Sequence, residues 1–460
     1  MKARIRREGK TGVVRLPFAL LSKIANPSPT VQRSRMRILR TAVAALALPL
    51  LATHGFALEP RTWIVMDGRI IEGELQKVSG SLVSILDTMG KQVQLDKSWL
   101  SIGDNAYVLE NFPDAKPGGF VSGTAVALPQ PAKSAKIDTK AFKLAAGTLS
   151  LPTDTYDVME TPHFKVMYQK PVDPRDIGEL AERLWLDAAF FHTTFTQKFR
   201  SQKMAIFLAP SDSHYDRIGT WYADLQKKAG RAEAANKISA TWPKSASGSM
   251  QLTNDVARAN DVMEHARVFR AMRMNPLTKK PESQRGVWIP FHVHCLAQDM
   301  LDLQAGGVTE FGSKGWYAVH AGHAYYKEVF LTGKSETSTL RSQSASGQDV
   351  SSTTGYREAR NWASELKKSV RKGEVKATME SLYLLTLEGA DVKGNALAYA
   401  WARFLESSLP RLTAFSKLAE RISTSNQMPE PEDLAKIFGY ANVAALEADF
   451  QKYVQSAEFH

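Results

Sequence analysis

The sequence predicts an α+β chain in two parts, a small β-barrel followed by a mostly helical domain that carries a small sheet. Three observations predict it. Between Arg61 and Phe112, short runs rich in Ile, Val and Leu are separated by turn signals at Asp67-Gly68, Ser79-Gly80 and Met89-Gly90, the pattern of short strands joined by tight turns. Between Pro113 and Lys140, prolines at 113, 117, 129 and 131 and the pair Gly118-Gly119 interrupt the chain, as expected of a flexible linker. From Thr153 onward most segments repeat their apolar residues at helical spacing.

At 460 residues and 43% hydrophobic content the chain can build sizeable cores. Its formal charge of +12 would suit nucleic acid or an anionic membrane, but the charge is concentrated at one end. Residues 1–57 hold eleven Lys and Arg against the single acid Glu8, and the rest holds 48 basic and 46 acidic residues, a net of +2. A nearly neutral mature chain excludes nucleic-acid binding as the leading reading. The leader has a basic stretch from Arg35 to Arg40, an apolar run from Thr41 to Ala52, and small residues at Gly55 and Ala57. That is the layout of an export signal over 36–57, and residues 1–35 read as an upstream extension. The apolar run is shorter than the ~18–20 residues that span a bilayer, so no stable membrane span is expected in the mature chain. The expected location is the periplasm or the cell exterior. A single cysteine, Cys295, excludes an intramolecular disulfide, and its apolar neighbours suit a buried small hydrophobe.

The organisation that follows is a leader over 1–57, a barrel over 58–112, a linker over 113–140 and a large domain over 141–460. After the last barrel strand, Ser101 with Asp104 three positions later opens a short helix, Asp104 to Leu109. In the large domain a strand is expected over Tyr156–Tyr168 and an amphipathic helix over Ile177–Phe199, with Leu180, Leu184, Ala188, Phe191 and Phe195 at helical spacing. Met204–Leu208 reads as a buried strand followed by a covering helix, 227–250 as a polar excursion and Val256–Met272 as a helix. Pro290 opens a central helix over Phe291–Leu303, ended by Gly306-Gly307. A second helix runs from about Gly315 to Leu331, and Ser335–Thr354 reads as a loop. Helices are then expected over Tyr356–Val370, Thr378–Leu387, Asn395–Ser408, Arg411–Ile422 and Leu434–Val454.

Two stretches concentrate the chemistry. Phe291–Leu301 and Trp316–Glu328 together hold four of the ten histidines, the only cysteine and the pair Tyr325-Tyr326. His292 and His294, two apart, cannot serve one ion from a helix, whereas His320 and His323 share a helical face. With His294 they would make a three-histidine zinc site, with Glu310 and Glu328 as the nearest candidate bases. Tyr326 and His323 are also the residues expected to line a cleft that holds a peptide or glycan without cutting it. Lys327 and Glu328 are expected to point away from the face that carries His323 and Tyr326.

The first part resembles the Sla-one homology domain. The run R-T-W-x-x-x-D-G-R-x-I-E-G-E-L from Arg61 to Leu75, and the ending L-S-x-x-D-x-A-Y-V from Leu100 to Val108, carry the resemblance over Arg61–Phe112. It implies a Src-homology-3-like barrel that binds proteins, since relatives are adaptors for short peptide motifs or ubiquitin. Trp63, Arg69 and Trp99 are the binding candidates it suggests. The core of a small barrel is the favoured place for both tryptophans, ahead of peptide docking.

The second part, over 153–460, resembles the frame of gluzincin peptidases. The phrase T-P-H-F-K-V at Thr161–Val166 resembles their opening strand, and Ala398–Leu405 and Leu434–Val454 resemble their packing and closing helices. In the H-E-x-x-H positions stand His294, Cys295 and Gln298, and Ala321 stands where the later helix supplies its glutamate. The resemblance therefore implies a zincin-like frame without ordinary zinc proteolysis. The expected function is that of an exported, non-catalytic adaptor that binds a protein, a peptide or a cell-envelope component and needs no cofactor. The alternative is a zinc-dependent hydrolase that uses His294, His320 and His323.

Overall fold

The computed structural model describes residues 60–114, 128, 130–150, 154–192, 203–242, 249–252, 262–270, 272–274, 281–283, 285–305, 314–337, 356, 359–387 and 389–460. The expected leader, Gly306-Gly307, Glu310 and most of the Ser335–Thr354 loop lie outside the described residues. The architecture is α+β, and Gly55–His460 form one compact unit.

Strands β1 (Arg61–Ile64), β2 (Ile70–Ser79), β3 (Leu82–Asp87) and β4 (Gln92–Asp96) form an antiparallel sheet in sequence order. The expected turns are present, with Gly68, Gly80 and Gly90 at φ 91°, 61° and 77°, values that a side-chain-bearing residue reaches only with strain. The expected barrel is not closed. Closure needs the first and last strands to pair, and here the chain after β4 returns to β1 through a single bridge, Val65 to Leu100. Helix α1 (Ile102–Asn111) is capped as its sequence suggests, with the Ser101 hydroxyl accepting from the Asp104 amide.

All three of Trp63, Ile64 and Val65 are buried. Successive strand residues face opposite sides, so Trp63 and Val65 fill the small core of this sheet while Ile64 enters the core of the large sheet. The second half of the expected linker is also packed: helix α2 (Pro131–Ser134) is followed by the buried Ala135, and the Arg183 guanidinium donates to the carbonyls of Ala132 and Ala135 at 2.6 and 3.1 Å.

The large sheet has six strands among the described residues, in the order β5 (Lys143–Ser150), β6 (Thr155–Glu160), β7 (Phe164–Tyr168), β8 (Lys203–Ala209), β10 (Val262–Arg270), β9 (Ser249–Leu252). The strand expected over Tyr156–Tyr168 is a hairpin, β6 (Thr155–Glu160) and β7 (Phe164–Tyr168), which follows β5 (Lys143–Ser150). Helix α3 (Arg175–Phe191) then leads to β8 (Lys203–Ala209), parallel to β7, and α4 (Asp212–Lys228) covers the sheet as expected. The supposed excursion holds α5 (Ala232–Thr241) and β9 (Ser249–Leu252).

The helix expected over Val256–Met272 is instead strand β10 (Val262–Arg270), paired with β8 on one side and β9 on the other. Its residues 266–270 are buried without alternation. A strand covered on both faces lacks the period-two pattern and cannot be told from a buried helix by periodicity. The short pair β11 (Met272–Met274) and β12 (Pro281–Ser283) follows.

The central helix α6 (Arg285–Gln304) begins before Pro290 rather than at it, so His292 and His294 lie on a helix. Next come α7 (Trp316–Thr332), α8 (Trp362–Arg371), α9 (Met379–Tyr383), α10 (Val392–Leu405), α11 (Leu409–Ser425), α12 (Pro431–Ile437) and α13 (Val443–Gln455). A side-chain carbon at Gly322 would stand 2.2 Å from the Ala398 carbonyl oxygen, so only glycine lets α7 and α10 approach this closely. Among the described residues no helix is long and apolar enough to cross a membrane.

Candidate functional site

The chemistry gathers where α3, α6, α7 and the end of α10 meet. Residues 323 and 327 are one turn apart, so His323 and Lys327 share a face of α7. Both reach the carboxylate of Glu406, which follows the last residue of α10. His323 Nδ1 is 2.8 Å from Glu406 Oε1, and Lys327 Nζ is 2.8 Å from Glu406 Oε2 and 2.7 Å from Asp187 Oδ2 on α3. All four side chains are buried. The expectation that Lys327 points away from the face carrying His323 and Tyr326 is thus corrected, since Lys327 lines the same recesses as they do, whereas Glu328 lines neither recess and bonds His294.

Burial alone would lower the Lys327 ammonium, but Asp187 and Glu406 outweigh it and hold the group above the ordinary lysine range. Burial would likewise raise Glu406, and Lys327 and His323 together hold it well below the usual carboxylate range. His192 stands behind the cluster, edge-on to His323 with ring centroids 6.1 Å apart. Among the described residues neither of its ring nitrogens has a hydrogen-bond partner, and burial pushes it down to about 3, leaving it uncharged at neutral pH.

The other histidines are engaged separately. His294 Nδ1 is 3.1 Å from Glu328 Oε2. Glu328 also accepts from the Ser335 hydroxyl and from the amides of Glu336 and Thr337 at 3.0, 2.8 and 3.2 Å, and burial pushes it up to about 8 against those bonds. His320 lies 2.9 Å from Asp302 through Nε2 and 3.5 Å from Gln298 through Nδ1. A carboxylate on one ring nitrogen leaves the other able to bind a metal, and of His294, His320 and His323 it is His320 that has both nitrogens engaged, Nε2 with Asp302 and Nδ1 with Gln298. Among the described residues no group of three or more His, Cys, Asp or Glu side chains is arranged to hold a metal. Cys295 is buried and in no disulfide, and Ala321 is fully buried.

Two recesses share Asp187 and Lys327. The inner one, lined by His192 and His323, is closed in by Leu184, Ala297 and Met300. The outer one is lined by Phe191, Tyr326, Phe330, Leu412, Lys327 and Glu406 among others. His323 and Tyr326 therefore line neighbouring recesses on either side of the Lys327 ion pairs. Burial raises the Tyr326 phenol above its ordinary range.

No protein-family model, no curated protein and no solved structure gives a significant match to this chain. The site therefore rests on its own geometry.

In the small sheet the three candidates separate. Trp63 is fully buried and its Nε1 donates to the Gly73 carbonyl at 2.9 Å, which makes it a core residue. Arg69 pairs with Asp67 at 2.7 Å in an exposed turn. Trp99 keeps 41% of its surface exposed and is the one of the three that offers an aromatic face to a partner. Sequence reasoning missed Asp187, His192 and Glu406. Asp187 had a legible signal: it lies three residues after Leu184 and four before Phe191, a charge on the apolar face of α3. Glu406 ends the apolar run of α10, and nothing in the sequence ties it to α7.

Proposed function

We propose that this chain is an exported, non-catalytic binding protein whose ligand site is the outer recess beside Tyr326, with Trp99 on the small sheet as a second contact. The observation that supports this most is the Lys327 ammonium, fixed between Asp187 and Glu406 and linked through Glu406 to His323. An internal cation holds the carboxylates that a metal or an activated water would need, and the buried imidazoles are engaged with carboxylates or packed in the core. What remains open is a recess with an apolar, partly aromatic wall and a few charged groups at its base, the usual makeup of a ligand pocket. A protein or peptide ligand, including one from the cell envelope, fits that wall. The resemblance to the Sla-one homology domain supports the same reading for the small sheet, and the resemblance to gluzincins supports a degenerate peptidase frame for the rest.

The test is capture of peptides from an array by the full chain, repeated with Tyr326→Ala and Trp99→Ala. The reading expects peptides to be captured intact, with recovery reduced by the Tyr326 change. Cleavage of bound peptides, or capture indifferent to both changes, would contradict it.

A further inference from the structure

The lining of the outer recess specifies a kind of ligand. Its wall carries three aromatic rings, Phe191, Tyr326 and Phe330, and the Tyr326 and Phe330 centroids are 6.0 Å apart with their planes tilted by 54°. Asp187, Glu406 and Lys327 also line it, the ammonium bridging the two carboxylates, and the Arg403 guanidinium stands 6.0 Å from the Tyr326 centroid. Aromatic faces attract cations through their quadrupole, and these faces already do so within the chain. Lys133 Nζ lies 4.2 Å from the Phe330 centroid and Lys327 Nζ 4.7 Å from that of Tyr326.

A compact primary ammonium is held by hydrogen-bond acceptors, and Lys327 already takes one oxygen of each carboxylate. A methylated ammonium relies less on acceptors: its methyl groups suit the apolar side chains of the lining, and its diffuse charge suits ring faces. We propose that the outer recess binds a ligand bearing a quaternary, choline-like ammonium group, held against Tyr326 and Phe330 above Asp187 and Glu406. The inference rests on the recess being the ligand site.

Calorimetric titration of the full chain with choline tests it, alongside the uncharged isostere in which carbon replaces the nitrogen. Choline should bind about tenfold or more tightly than the isostere. Phe330→Leu should weaken choline binding by about tenfold, as expected for loss of one ring from a partly desolvated cation site. Lys133→Ala should strengthen it, because that side chain is exposed and its ammonium competes for the Phe330 face. Equal binding of choline and isostere, or no choline binding, would overturn the proposal, as would choline binding unchanged by both substitutions. If choline fails while peptide capture still depends on Tyr326, the ammonium assignment alone falls. If both fail, the recess is not the ligand site.

Discussion

His323–Glu406 and His294–Glu328 are both buried imidazole–carboxylate pairs anchored on α7, and their carboxyl groups are driven in opposite directions. Glu406 is held below the ordinary range and Glu328 is pushed up to about 8. Burial acts alike on both; the difference is a second cation. Lys327 stands 2.8 Å from Glu406, whereas among the described residues Glu328 has hydroxyl and amide donors besides His294. Neutral donors offset part of the desolvation cost, and a full charge in contact reverses it. One pair is therefore an ionic lock, and the other behaves as a largely neutral hydrogen-bonded network.

Removing the second cation should have the largest effect. Lys327→Met leaves Asp187 and Glu406 buried without their ammonium, and should cost about 3–5 kcal/mol in chemical denaturation. A loss below about 1 kcal/mol would mean that water reaches the cluster and that the lock is not ionic. Next comes the helix contact that brings α7 to α10: Gly322→Ala forces a methyl toward the Ala398 carbonyl and should cost about 1–3 kcal/mol. Glu328→Gln mimics the protonated acid and keeps a carbonyl oxygen for the amides of Glu336 and Thr337, so at neutral pH it should cost about 1 kcal/mol or less.

The pH dependences of Glu328 and His192 are opposite in sign. Glu328 is raised from 4.5 to about 8, so the folded chain binds a proton that the unfolded chain has released. Its contribution is fully present below pH 4.5 and is lost as pH rises through 8. Denaturation midpoints of Glu328→Gln should lack that alkaline-side decline. His192 is lowered from 6.5 to about 3, so its contribution is present above pH 6.5 and is lost as pH falls through 3. His192→Phe should flatten part of the acid-side decline. An unchanged acid limb would show that His192 does not stay neutral in the folded chain.

Much of the fold was legible because local rules fix it. The turn glycines, the Ser101 cap and the helical spacing of α3 and α7 each follow from two or three neighbouring residues. The failures have a common cause. Strand β10 and the open edge of the small sheet are decided by partners distant in sequence, and a strand buried on both faces carries no period to read. The same holds for the site. His323 and Tyr326 were visible as a cluster, and the shared face of His323 and Lys327 follows from their spacing alone. That Glu406 closes the ion pair depends on α10 packing against Gly322, 84 positions before it in numbering, which no local pattern encodes. Of the residues in the small sheet, Trp63 and Trp99 look alike in sequence, and only the alternation of β1 and the end of β4 makes one core and the other surface.

The proposed non-catalytic reading holds that internal ion pairs engage the histidines and carboxylates that a metal would require. Metal content of the purified chain by plasma mass spectrometry tests it most directly, with His294, His320 and His323 changed together to alanine as the comparison. The account predicts zinc far below one ion per chain, and the same trace level in the altered protein. One zinc per chain, lost when the three histidines are removed, would contradict it and point to a zinc-dependent hydrolase.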